Sequence, residues 1–430
     1  MKPIPKIRAG ALQFVLFVGA LITILLMAFL LLAHTHGHFE KRTDVLISTI
    51  KTANAALVSS LGEDTPFMGF PAVEDSDAPP ISVRVERDFW GIFEKRTVFA
   101  THGKTQYRKT ALVGAREGMQ FPALYVKDRQ RPVILAGNAR ITGTAFLPEQ
   151  GLRMGNIRGN AYSGTQLLYG ESKKSGLGLP PIHPEVVKQI QTLTSEGYQP
   201  FGEVLSQVPR EALGNSFEAP PMIIRDRVVR LQKIALSGNI IVSASDKIIV
   251  EAQTQLQDVI LLAPEIVIKD RVKGYFQAFA RTSISVGKQC ELAYPTALVV
   301  KKKSLPKTEG KKQAMAYGNG SPAIFLDSQT QLRGVLMVLE DAEERQYYPQ
   351  IHIAENSLVT GEVYCTKSLE LKGQVNGSVT TDSFIALENG NVYQNHLFNG
   401  IINSHNLSPS YTGLLMTGRD RNKKIMKWLY

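Results

Sequence analysis

Ile248, Ile266 and Ile284 stand 18 residues apart, and Val250, Ile268 and Val286 keep the same interval. Leu256, Gly274 and Leu292 fall in that frame too, and so does the segment at Ser237, with Gly238 to Val242 laid over Leu256 to Ile260. Gln253-Thr254-Gln255-Leu256 returns as Gln329-Thr330-Gln331-Leu332, and Ile353 and Leu371 are again 18 apart. Alternation is strict at Leu369, Leu371, Gly373, Val375, Gly377 and Val379, and earlier from Leu135 to Leu147. Alternating residues make strands with one buried face. A fixed short interval buries that face against copies of itself. Eighteen residues suffice for a coil of three short strands with Gly and small polar residues at the corners. The chain is therefore expected to be mainly β, built round a parallel β-helix (β-solenoid) of about 18 residues per coil, each coil adding about 4.8 Å. An antiparallel sandwich gives turns every 8–12 residues but no reason for the longer self-match. Long left-handed coils keep a stricter six-residue pattern, so a right-handed coil is expected.

The second constraint is the run from Ala11 to Ala33, which carries no charge. About 20 such residues span a bilayer as a helix. A secretory signal would have a shorter apolar run and a small-residue cleavage site, which His34, Thr35 and His36 do not supply. Ala11, Leu12, Phe14, Leu25 and Leu32 are thus candidate anchor residues. Lys2, Lys6 and Arg8 precede the run without acids, whereas Lys41, Arg42 and Lys51 follow it mixed with Glu40 and Asp44. This asymmetry places residues 1–10 in the cytoplasm and the bulk of the chain in the periplasm or outside the cell.

Beyond the membrane, Val45, Leu46, Ile50, Ala53, Leu57 and Leu61 lie at helical spacing, which predicts a stem over 34–62 ended by Gly62 and Pro66. Residues 63–130 read as a Pro-rich, acidic linker and a small β unit with a turn at His102-Gly103-Lys104. The first coils are expected over 131–169 and the main body over 231–416. Residues 170–230 interrupt them with a helix from Pro184 to about Glu196, Val187, Ile190 and Leu193 sharing one side, which would cover or cap the coils. A basic loop spans 301–320. The tail 417–430 is also basic and suits either a docking peptide or a solvated end.

The chemistry-bearing residues are sparse. Two cysteines, Cys290 and Cys365, make neither a disulfide framework nor a zinc site, and whether they pair is open. Asp246, Glu251, Asp258, Glu265 and Asp270 are scattered, although Asp258 and Glu265 could meet across coils. No GxSxG, Walker, HExxH or CxxC pattern occurs. No catalytic residue, metal site or cofactor is expected, and the chain is not expected to be an enzyme. His34 and His38 share a helical face, but a polar rim at the membrane exit accounts for them and for His36. Lysine and arginine total 49 against 38 acids, a balance that favours anionic partners such as lipid head groups or acidic glycans over nucleic acid. Lys301, Lys302, Lys303, Lys311 and Lys312 are the candidate acidic-partner residues.

Residues 1 to 62 resemble minor pilins and pseudopilins: a short basic leader ends in Arg8-Ala9-Gly10, and an apolar helix begins at Ala11. The resemblance implies cleavage between Gly10 and Ala11 and packing of the new N-terminal helix with other filament or secretion-machine subunits. Val15 stands where most of that family has glutamate, which fits a tip or minor subunit better than a major one. The alternating pattern over 131–400 resembles the polymer-forming β-helix proteins called bactofilins, which implies self-association, although the inserts depart from that family. These features together lead to the expectation of a non-enzymatic structural or assembly component of the bacterial envelope, in contact with the bilayer and with other envelope subunits. An envelope scaffold or adhesin, and a polysaccharide-binding or polysaccharide-cleaving protein, stand as alternatives.

Overall fold

The computed structural model describes residues 10–62, 81–115, 121–205, 208–209, 211–302, 321–340, 347–418 and 422–430. It is mainly β, with one long N-terminal helix. Two compact units are present: among the described residues, one holds 10–58, 81–85 and 98–108, and the other holds the rest.

Helix α1 (Gly10–Ser60) is unbroken, so the expected boundary between membrane segment and stem at residue 33 is not a break in structure. At 1.5 Å per residue, its length is about 75 Å, far more than a bilayer core requires. In the first unit Thr49, Ala53 and Leu57 are buried, a spacing of four that follows one helical face. Leu46, expected on that face, is 42% exposed. Ile81, Val83, Val85, Val98 and Ala100 are the other buried apolar residues of this unit. Strands Ser82–Trp90, Phe93–His102 and Thr105–Ala115 follow the helix in the chain, and within the second unit the last residues of the third of them pair with Lys423–Leu429.

The second unit is dominated by parallel pairing in three columns. In the first, Leu205, Ile224, Val242, Leu261, Ala278, Leu298, Leu336, Val363, Val379, Leu124 and Ala145 are successive partners. In the second, Val229, Ile248, Ile266, Ile284, Ile324, Ile351 and Leu369 follow one another. In the third, the series is Leu213, Leu236, Leu256, Gly274, Leu292, Leu332, Val359, Val375, Ile402 and Ile141. The long strands turn corners and take part in more than one column, so the network of pairings is closed. The inward residues make one continuous apolar core. Each fully buried Val, Ile or Leu side chain stabilises it by about 1.5–3 kcal/mol.

The recurring Gln-Thr-Gln-Leu has a geometric cause. Gln253 and Gln329 occupy the same corner in the left-handed region (φ +68 and +61), as do Arg271, Gln289 and Asn356. The next residue turns inward: Thr254 donates to Leu231 O at 3.0 Å, and Thr330 to Gly287 O at 2.7 Å. The following Gln points out and the Leu points in.

Several expectations change. Leu256 pairs with Leu236, an interval of 20, so the Ser237 segment does not sit in the frame expected for it. The first column is not buried on one face only. Its outward residues Ile260, Leu262, Phe279, Val299 and Met337 lie in a second apolar cluster with Val186 and Ile190, Trp90 and Phe93, and Leu414 to Met416. The continuous apolar runs Val259–Leu262 and Ala297–Val300 are the sequence form of strands buried on both faces. Helix α2 (Pro184–Leu193) ends three residues before Glu196, with Thr194 as its cap residue, and it is Val186 rather than Val187 that is buried with Ile190 and Leu193. Residues 203–205, 213–215 and 222–231 belong to the parallel stack, so the insertion is shorter than 170–230.

The order of the stack is not the order of the chain. Residues 124–126 pair with 379–381, and residues 140–142 with 401–403. The earliest strands therefore extend the end formed by the latest ones, and the segment carrying α2 connects them to the opposite end. The tail is no free peptide: Lys423–Leu429 pairs antiparallel with residues 110–115.

Candidate functional site

Two arrangements can carry function: the exposed apolar part of α1, and a buried ionic junction in the second unit where the helix ends. Leu12, Phe14, Leu25 and Leu32 are each more than 60% exposed, on a helix whose first part is apolar throughout. α1 is thus long and apolar enough to cross a membrane. Gly10 and Ala11 open the helix and are exposed; the residues before them lie outside the described ones. His34, His36 and His38 are exposed on the same helix.

The junction begins at Ser60, the last residue of α1. Arg96 Nη1 donates to the Ser60 carbonyl and, at 2.8 Å, to its Oγ. Arg96 Nε donates to Glu94 Oε1 at 2.5 Å. The other Glu94 oxygen receives Lys423 Nζ at 3.1 Å and lies 3.0 Å from Arg87 Nε. Arg87 also pairs with Glu185 in the first turn of α2. Glu94 and Arg96 are wholly buried. Burial pushes the Glu94 carboxyl up, but the charges of Arg96, Lys423 and Arg87 outweigh it and hold its pKa below the usual range. The end of α1, the hairpin, α2 and the C-terminal strand thus converge on one carboxylate.

Lys427 is held in the same way, donating to both oxygens of Asp258 at 2.6 and 2.7 Å, while Trp90 Nε1 donates to the Asp258 carbonyl at 2.8 Å. Burial raises the Asp258 pKa against the pull of Lys427. Asp258 and Glu265 are not brought together: Glu265 pairs with Lys247 at 2.8 Å. Lys301 and Lys302 are not part of a loop but end strand Glu291–Lys302, opposite Leu339 and Glu340. Burial lowers the Lys302 pKa, and its ammonium lies 5.8 Å from the Tyr348 ring centre. Lys303, Lys311 and Lys312 lie outside the described residues. Cys290 and Cys365 are both buried and unpaired with each other.

One arrangement escapes a reading by motif. His352 Nδ1 lies 2.7 Å from Glu370 Oε2, with the imidazole stacked on Phe325 at 5.0 Å. Glu370 Oε1 accepts from Leu387 N–H at 2.9 Å and lies 3.5 Å from Lys372, which reaches Glu388 at 2.8 Å. His352 and Glu370 are 18 residues apart and are register partners, so the repeat interval itself was the signal. Among the described residues no group of three or more His, Cys, Asp or Glu is placed to hold a metal ion.

Comparison of the chain with protein-family models, curated proteins and solved structures finds no match.

Proposed function

We propose that this chain is a membrane-anchored, non-enzymatic structural or assembly component of the bacterial cell envelope. Residues 11–33 of α1 are its single span, and the bulk lies in the periplasm or outside the cell. We read the three columns of parallel pairing as the three faces of a β-solenoid, a surface suited to presenting side chains at a fixed repeat. The observation that carries the proposal is α1 itself. Its apolar residues are exposed over the length a bilayer needs, and the same helix runs on without a break to Ser60 and the buried Arg96. A helix that only targeted the chain for export would have no use for that continuation. A filament or secretion-machine role as a minor pilin-like subunit is the narrower form of this reading.

The test is the mature N-terminus, determined by mass spectrometry of the protein from bacterial membranes, together with protease accessibility of the bulk in intact spheroplasts. A start at Ala11 supports the pilin-like form. A start at Met1 or Lys2 in a membrane-retained, externally digestible chain leaves a plain anchor and scaffold. A start beyond Ala33 in a soluble chain sinks the anchoring proposal.

A further inference from the structure

Helix α2 covers the outer face of the first column only as far as Leu193. Gly197 then turns the chain away (φ +76), leaving a groove of about 380 Å³ between residues 193–199 and the stack. Its floor follows one ladder, because Arg225, Ser243, Leu262 and Phe279 are successive register partners. Three steps at the strand spacing make it about 14 Å long. Leu262 and Phe279 are buried and give the middle an apolar base.

We propose that this groove binds an uncharged linear oligosaccharide. The lining presents hydroxyl groups: those of Ser243 on the floor and of Ser245 and Tyr198 beside it have no hydrogen-bond partner among the described residues. Water held on such groups is replaced at little cost by ligand hydroxyls that reproduce its hydrogen bonds. The apolar floor suits the C–H faces of sugar rings, and a few polar groups over an apolar base is the usual make-up of a small-ligand site. The rim charges balance. Arg281 Nη1 lies 3.9 Å from Glu196 Oε1, Arg225 Nη1 donates to Gln199 Oε1 at 3.4 Å, and Asp226 stands beside Arg225. Two guanidinium groups against two carboxylates leave no net charge to attract a polyanion, but each planar group can hydrogen-bond neighbouring sugar hydroxyls in pairs. The ladder repeats its geometry at every strand, so a repeating ligand meets like surroundings along its length. The proposal goes beyond the anchoring reading and does not need it, since a chain lost from the membrane could still bind sugar.

The experiment is isothermal titration of the full chain, in micelles of a detergent without a sugar head group. The probes are cellotetraose, maltotetraose and tetra-N-acetylchitotetraose, with tetragalacturonate as the acidic comparison. Saturable binding of at least one neutral probe is expected. Arg281→Ala should weaken it by about tenfold, the worth of one charged hydrogen bond, and Ser245→Trp, which fills the groove from an exposed position, should abolish it. Should Ser245→Trp lower the thermal midpoint, Arg225→Ala at the exposed rim decides in its place. Failure of every neutral probe to bind, binding of tetragalacturonate alone, or binding unchanged in the deciding variants overturns the proposal.

Discussion

Lys423 places its ammonium 3.1 Å from Glu94 Oε2, across 329 residues of chain, and both side chains are buried. Glu94 serves three cations, so the two partners are not equivalent. Glu94→Gln removes the buried carboxylate that Arg96 and Lys423 share, while Arg87 keeps Glu185, and should cost about 3–5 kcal/mol. Lys423→Met leaves Glu94 with two cations and should cost clearly less. Denaturant midpoints of the two variants, followed by tryptophan emission, check this; equal losses would mean that Glu94 is not the centre of the junction.

Glu370 gives the fold an acid-side dependence. Burial would raise its pKa, but hydrogen bonds from His352 and the Leu387 N–H, with the charges of His352 and Lys372, lower it. A depressed folded value means that the contribution is complete above the unfolded carboxylate pKa of about 4.3 and is lost as pH falls through the folded value. Glu370→Gln should therefore flatten the decline in stability below about pH 5, relative to the parent chain. Thermal midpoints across an acid pH series measure it, and an unchanged slope counts against the role given to Glu370.

Gly361 and Gly377 are register partners between the third column and the first, with φ +140 and +150. A Cβ on Gly377 would lie 1.9 Å from the Gly361 carbonyl oxygen. Gly377→Ala should destabilise the second unit by about 2 kcal/mol or more, since both the backbone region and the close approach exclude a side chain. By contrast Gln329→Gly, at the φ +61 corner, removes a strained conformation and should change stability by less than about 1 kcal/mol. Urea melts of the two variants separate the cases.

Leu25 is 61% exposed in the middle of the apolar part of α1. Leu25→Asp places a charge at the centre of a span, at a cost of about 2.5–3.5 kcal/mol on insertion scales. Carbonate-resistant membrane retention should fall in this variant and not in Leu25→Val. Full retention of Leu25→Asp would show that this segment does not cross the bilayer.

Much of this was legible in the sequence because it depends on local period. The coincidence of Ile248, Ile266 and Ile284 follows from side-chain alternation and repeat length alone, and so do the Gln-Thr-Gln-Leu corners. What escaped depends on partners far away in the chain. Nothing around Lys423 or Lys427 announces Glu94 or Asp258 as a partner, so the basic tail reads as a docking peptide or a solvated end, whereas these two lysines are paired within the fold. The junction at Arg96 was equally silent, because the partners of Glu94 and Arg96 at Ser60 and Lys423 lie far from them in the chain. The double burial of Val259–Leu262 was written in its unbroken apolar run, but a reading fixed on alternation passes over it.

The mismatch between stack order and chain order also sets a timetable. Val126 must wait for Thr381, 255 residues later in the chain, before its inner neighbour exists. At about 5–20 residues per second, synthesis alone imposes a delay of about 13–50 s. Until then residues 124–126 hold an open edge, and residues 140–142 hold theirs until 401–403 follow, so an interruption of translation before that point releases a chain with an edge still seeking a partner.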